Sequence, residues 1–335
     1  MRILFLTNPH EDYLADSLLH GLRSLLGNEV VDYPKCEQLY DNFSKPSQRE
    51  LYGRGFTLYT GLLPDIQIDR FDIFDKLRNN FFDWVVIGSV WHQSPVLQEI
   101  ANQFKTTKVA ILDGADSPRC YPFAGKWMRS SLSWILRGTN RRMPYFKREC
   151  TDDSTLGLVE TFTPHCLRKF LINRVRPVPV AFSFPAEKIA IGVVEKTKLF
   201  PKHIVDVDLL SHIPSAVSSY AFRDEDEYYR DLRASKFGIT TKKGGWDCMR
   251  HYEIAANMAV PCFRNLDNKP ETCAPHGLDR SNCLVYTDWL DLKSQIDNLS
   301  SSQFIELQSG AKSWILNNTT LERASQFVLE LNSKD

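Results

Sequence analysis

The 335-residue sequence lacks a net charge: 41 Lys and Arg stand against 41 Asp and Glu. Proteins that bind duplex nucleic acid usually carry a basic excess, so the balance counts against that partner at the level of the whole chain. No apolar run reaches the ~18 residues that a membrane-spanning helix needs. The opening run, 3–6, is also too short for the core of a signal peptide. Paired cysteines are missing as well. Cys36, Cys120, Cys150, Cys166, Cys248, Cys262, Cys273 and Cys283 are scattered, and none forms a C-x-x-C spacing. That pattern counts against a disulfide framework or a zinc site and suits reduced thiols in the cytoplasm. Asp206-Val-Asp208 has the letters of a metal-binding D-x-D triplet but reads as a strand end, so no metal site is expected. Repeats and low-complexity tracts are also absent.

What is present suits a folded protein. The chain is 43% hydrophobic and 24% charged, and its length favours two domains. Residues 2–7 form a short β run. Leu14, Leu18, Leu22 and Leu25 follow at helical spacing, and 29–33 reads as a second strand. This β-loop-α-β order is the unit of a parallel, helix-covered sheet. Ligands bind such sheets beyond the carboxyl ends of the strands, which makes the loop 8–13 a functional position. The apolar runs 83–89 and 108–112 read as further buried strands. A helix is expected after Pro95. The proline-rich stretch 176–185 reads as an interdomain connection. Beyond it we expect a strand at 204–209, an acidic helix at 224–234, a strand at 236–240, a helix at 246–259, and strands at 260–263 and 282–286. The tail 302–331 reads as two helices broken near 317–320, the second capped by Thr319 with Glu322.

The chemically informative stretch is 235–263. A strand feeds a loop of Lys242, Lys243, Gly244, Gly245 and Trp246, and the loop feeds a helix start. Glycines admit close backbone approach, and a helix N-terminus favours anions. Arg250 and Glu253 lie three residues apart, hence on one helix face. Together these suit a nucleotide, with phosphates at the cationic end and ribose hydroxyls at the carboxylate. The same residue types also describe an exposed turn followed by a surface ion pair. For a general base, His10, His92, Asp113 and Asp116 stand at predicted carboxyl ends of strands, where a proton acceptor is useful. The aromatic segment 52–59 is a candidate acceptor lining or packing element. The basic segment 137–148 reads as a solvated loop.

The run Arg250-His-Tyr-Glu-Ile-Ala-Ala-Asn-Met-Ala-Val-Pro-Cys-Phe263 is similar to the R-x-[FY]-E-x-x-A-x-G-x-x-x-[FIV] segment of GT-B glycosyltransferases, especially the spore-maturation CgeB-like branch. The opening 1–8, Leu51-Tyr-Gly-Arg-Gly-Phe-Thr-Leu-Tyr59, the Asp113-Gly114 strand end and Asn318-Thr-Thr-Leu-Glu-Arg-Ala324 also resemble proteins of this type. The resemblance implies an α/β fold of two Rossmann-like domains facing a cleft: 1–177 on the acceptor side, 178–315 binding the nucleotide-sugar, and 316–335 crossing back. It implies sugar transfer from a nucleotide-sugar without a metal, no separate cofactor, Glu253 on the donor ribose, and His10 where inverting members often place a base. Acceptor classes from glycans to nucleic-acid bases stay open. A sugar-nucleotide epimerase and a non-catalytic nucleotide-binding homologue are the alternatives. Two positions depart from the pattern. Gly245 stands where the two-glutamate enzymes carry their first glutamate, and Met258 replaces the usual glycine, a change expected to concern packing.

Overall fold

The computed structural model describes residues 1–8, 11–44, 58–104, 107–121, 143–151, 154, 177–192, 195–219 and 221–333. His10, residues 52–57 of the aromatic segment, 137–142 of the basic segment and Arg176 lie outside them.

Among the described residues the first sheet has six parallel strands: β1 (Ile3–Leu6), β2 (Val30–Tyr33), β3 (Trp84–Ile87), β4 (Lys108–Asp113), β5 (Tyr145–Lys147) and β6 (Val178–Pro179). Their spatial order is β2-β1-β3-β4-β5-β6. Helices α1 (Tyr13–Leu26), α2 (Ile73–Arg78) and α3 (Val90–Gln103) connect them. Alternate residues serve opposite faces, as the strand period requires. Ile3, Phe5, Trp84 and Val86 enter one core, and Leu4, Leu6, Val85 and Ile87 enter another.

The second sheet is parallel, in the order β7 (Phe237–Thr241), β8 (Val260–Arg264), β9 (Leu284–Tyr286). It is accompanied by α4 (Glu225–Ala234), α5 (Met249–Ala256), α6 (Trp289–Asp297), α7 (Ser301–Leu316) and α8 (Thr320–Asn332). One continuous core joins residues of both sheets, from Ile3 and Phe5 to Tyr252, Phe263 and Phe327. Helix α8 lies against α1: Thr320 Oγ1 is 2.9 Å from His20 Nδ1, and the Thr320 carbonyl fills the space where Gly21 would carry a Cβ. The Phe327 ring meets Phe146 of β5 at 4.4 Å.

Several local expectations need correction. The strand expected at 204–209 is replaced by a 3-10 helix, Val207–His212. Asp206 caps it, and Arg264 binds both Asp206 and Asp208, so polar anchoring overrides the apolar spacing. The same pairing shows that Asp206-Val-Asp208 is not a strand end. Helix α3 starts before Pro95, because Gln93 Oε1 accepts the Ser89 N–H at 2.9 Å and secures the first turn. Val178 and Pro179, read as connection, pair with β5 as an edge strand. Lys147 and Arg148, read as part of a solvated loop, are buried. Helix α6 was not anticipated; Asp288 caps it by accepting the Asp291 N–H at 3.0 Å.

Candidate functional site

Strand β7 delivers the chain into the loop 242–248, and α5 leads it away. The loop stays out of the helix through Cys248, whose backbone is extended. The helix therefore begins at Met249 and not at 246. Two amides that would have opened it, those of Trp246 and Asp247, donate to Glu149 at 3.0 Å each. His251 ties the loop to the strand: its Nδ1 lies 2.8 Å from Thr240 Oγ1 and its Nε2 lies 2.9 Å from the Trp246 carbonyl. The carbonyl can only accept, so Nε2 carries the proton and Nδ1 receives the hydroxyl. Burial pushes this imidazole down to about 3, which keeps it neutral.

A cavity of about 290 Å³ opens beside the loop. Lys243, Gly244, Gly245, Arg250 and Glu253 line it from the second sheet's side. Tyr13, Asp116 and Arg148 line it from the first sheet's side, and His203 and Phe222 complete one wall. Glu253 is half-buried and accepts the Tyr228 hydroxyl at 3.1 Å. Desolvation raises its carboxyl to about 7, with Arg250 opposing the rise. His203 is held below its ordinary value by burial first and then by the charges of Arg250 and Lys243. The cavity thus combines fixed cations with a carboxylate that has hydrogen-bonding capacity.

Of the residues singled out in the sequence, Lys243, Gly244, Gly245, Arg250, Glu253 and Asp116 meet here. Lys242 and Trp246 stand apart from the lining: the Lys242 ammonium rests 4.9 Å from the Trp246 ring centre, and the indole stacks on Phe263. His92 is exposed at the start of α3, with Nδ1 3.0 Å from Ser89 Oγ and 3.1 Å from Asn8 Nδ2. Asp113 is fully buried. It accepts from Trp91 Nε1 at 2.8 Å and Tyr145 OH at 2.5 Å, and Lys147 Nζ lies 3.0 Å away. Its carboxylate anchors the end of β4 and has no access to the cavity. His10 lies outside the described residues. Of the aromatic segment, Leu58 reaches the cavity, while Tyr59 is buried and donates to the Ser183 carbonyl at 2.5 Å.

Sequence reasoning missed Glu149 and Tyr228 and read Arg148 as part of a solvated loop. Asp247, two residues beyond Gly245, belongs with them. It is buried, accepting the Phe182 N–H at 2.8 Å and the Tyr252 hydroxyl at 2.9 Å. No local pattern marks these residues, since each acts on a partner distant in sequence.

No family model matches the chain, and no curated protein matches it in sequence. Solved structures do match. HepE from Anabaena, in complex with UDP and glucose, superposes with a TM-score of 0.54 at 9% identity, covering 99% of this chain and 100% of that one. Trehalose-6-phosphate synthase, OtsA, gives 0.53 at 12% identity over 99% of each chain. A glycosyltransferase from Rickettsia africae gives 0.50 at 11% identity, covering 98% and 97%. With its two parallel sheets, the chain has an α/β fold that matches the structures of GT-B glycosyltransferases. At these identities the likeness carries the fold and leaves the activity to the site.

Proposed function

We propose that this chain is a glycosyltransferase that moves a sugar from a nucleoside-diphosphate sugar to an acceptor, without a bound metal. The observation that carries the reading is the convergence of Lys243, Arg250, the α5 start and Glu253 on one cavity. Cations and helix N–H groups suit a diphosphate, and a carboxylate suits paired ribose hydroxyls. A departing diphosphate would be stabilised by these fixed charges, which is how a site dispenses with a metal. HepE is described with UDP and with UDP-glucose, so a uridine nucleotide is the first donor to try. Residues 1–177 would serve the acceptor, 178–315 the donor, and 316–335 would tie the two. For the proton acceptor we retain His10, beyond β1, and Asp116, which faces the cavity. The segment 250–263 supports a place in the CgeB-like branch, and the scattered cysteines support a cytoplasmic setting. Among the described residues no helix is long and apolar enough to cross a membrane.

Calorimetry with UDP tests the reading. Charge-assisted hydrogen bonds are each worth ~1.5–3 kcal/mol, so Glu253→Gln should weaken UDP binding by about tenfold or more. The variant should keep its fold, because the side chain faces a cavity. Unchanged affinity in a folded variant would remove Glu253 from the donor site. Absence of UDP binding by the parent protein, together with failure of other nucleoside diphosphates, would remove the reading itself.

A further inference from the structure

The glycine loop is gripped from behind by the first sheet. Glu149 follows β5 by two residues and is 3% exposed. Its carboxylate accepts the amides of Trp246 and Asp247 at 3.0 Å each, the Cys273 thiol at 3.0 Å and Arg148 Nη1 at 3.1 Å. Arg148 is 2% exposed, and its guanidinium branches three ways. Nε donates to the Gly114 carbonyl at 3.0 Å, Nη1 also donates to the Asp247 carbonyl at 2.7 Å, and Nη2 pairs with Asp116. The Phe182 ring lies beneath it at 4.6 Å.

The two loop glycines answer to the same carboxylates. A Cβ at Gly245 would overlap the Glu149 carboxylate, and one at Gly244 would overlap that of Asp116. Neither glycine has a positive φ, so neither is required by the backbone conformation. Close approach is the remaining reason, and the approaching groups come from the other sheet. A buried carboxylate is tolerated only when its oxygens are satisfied, and four donors from three stretches of the chain do this here. Loss of that acceptor would leave two loop amides unsatisfied, that of Asp247 buried and that of Trp246 partly buried.

We infer that Arg148 and Glu149 are positioning residues that hold the 244–247 loop in the shape that forms the donor cavity, and that Gly244 and Gly245 are glycine to admit Asp116 and Glu149. The consequence for the donor rests on the function proposed above; the clasp itself does not. With the Trp246 and Asp247 amides turned to Glu149, the diphosphate is left to Lys243, Arg250 and the start of α5. The pair acts on the donor through the loop.

Amide hydrogen exchange in the ligand-free protein tests the clasp directly. Glu149→Gln preserves shape but removes the charge and turns an N–H toward one loop amide. Exchange at 246 and 247 should quicken by about tenfold or more while β1 and β3 stay protected, because local opening is distinct from global unfolding. Unchanged exchange would overturn the inference. A double-mutant cycle in the ligand-free protein gives a second reading. Gly245→Ala should lower the melting temperature of the parent and lower it less in a Glu149→Ala background, where the overlapping group is gone. Equal losses in both backgrounds would overturn the account of the glycine. UDP titration of folded Glu149→Gln then reads the consequence, with affinity expected to fall about fivefold or more. A loosened loop with unchanged UDP affinity would overturn the positioning role. If the parent binds no nucleoside diphosphate, the donor reading fails, and the exchange and melting data still decide the clasp.

Discussion

At the scale of single residues, Glu253 carries the sharpest consequence of burial. Its carboxyl ordinarily titrates near 4.5 and is raised to about 7 in the folded chain, first by desolvation. The folded state therefore holds this proton more tightly than the unfolded state. Its contribution to stability is greatest below the ordinary value and declines as pH rises toward 7, since unfolding then lets the carboxyl ionise in water, free of the desolvation it meets in the fold. Denaturant titrations from about pH 4 to pH 8 should show the parent losing stability relative to Glu253→Gln across the window between 4.5 and 7. UDP binding should move the other way, strengthening as the carboxylate ionises and can accept hydroxyls. A constant stability difference across that window would mean that Glu253 titrates normally. His251 acts in the opposite sense: burial holds it neutral in the folded chain while the unfolded imidazole protonates below its ordinary 6.5, so its contribution falls as pH falls, and the comparison with Glu253→Gln cancels it because both proteins share it.

At the scale of elements, the end of α5 accounts for a departure that the sequence left to packing. Met258 has φ 62, in the left-handed region. Its N–H donates to the Ala255 carbonyl at 3.0 Å, and the Ala259 N–H donates to Ile254 at 3.1 Å. These two bonds form a Schellman motif with Met258 at the position where glycine is favoured. The change from the glycine of the resembled segment therefore concerns backbone strain. A left-handed residue with a side chain costs roughly 1–2 kcal/mol, so Met258→Gly should stabilise the protein by about 1 kcal/mol in urea titrations. A loss of stability would show that the Met258 side chain matters more than its backbone. The opposite end of α5 shows why helix starts were misjudged. Trp246 and Asp247 run directly into the helix in sequence, yet Glu149, 97 and 98 residues away, takes their amides.

At the scale of the whole molecule, two parallel sheets share a continuous core, and α8 returns to α1. The cavity lies where loops from both sheets meet. Its cations are supplied by the protein, so sugar transfer should survive EDTA with rates within about twofold of the untreated protein, as expected for electrostatic stabilisation by fixed groups. A rate restored only by manganese or magnesium would transfer the phosphate-neutralising role from Lys243 and Arg250 to a metal. The architecture was legible where burial imposes a period: β1, β3, β4, β7 and β8 lie where apolar runs indicated, and α1 where its leucines recur. The second sheet's half of the cavity was legible too, because Lys243, Gly244, Arg250 and Glu253 are close in sequence and one loop and helix bring them together.

The sequence by itself determined the alternation of strands and helices, since a strand buried on both faces must be apolar throughout and a covering helix on one side. It also determined which side chains share the face of α5, because helical geometry is local. Tertiary structure decided the rest. It buried Asp113 against Lys147 and Tyr145, although that aspartate stood at a strand end like Asp116. It turned Arg148, the end of an apparent solvated loop, and the unremarked Glu149 beside it into the clasp on the loop. Charged residues have no period that declares their partners, and the cost of burying them is met only when distant donors and acceptors arrive together.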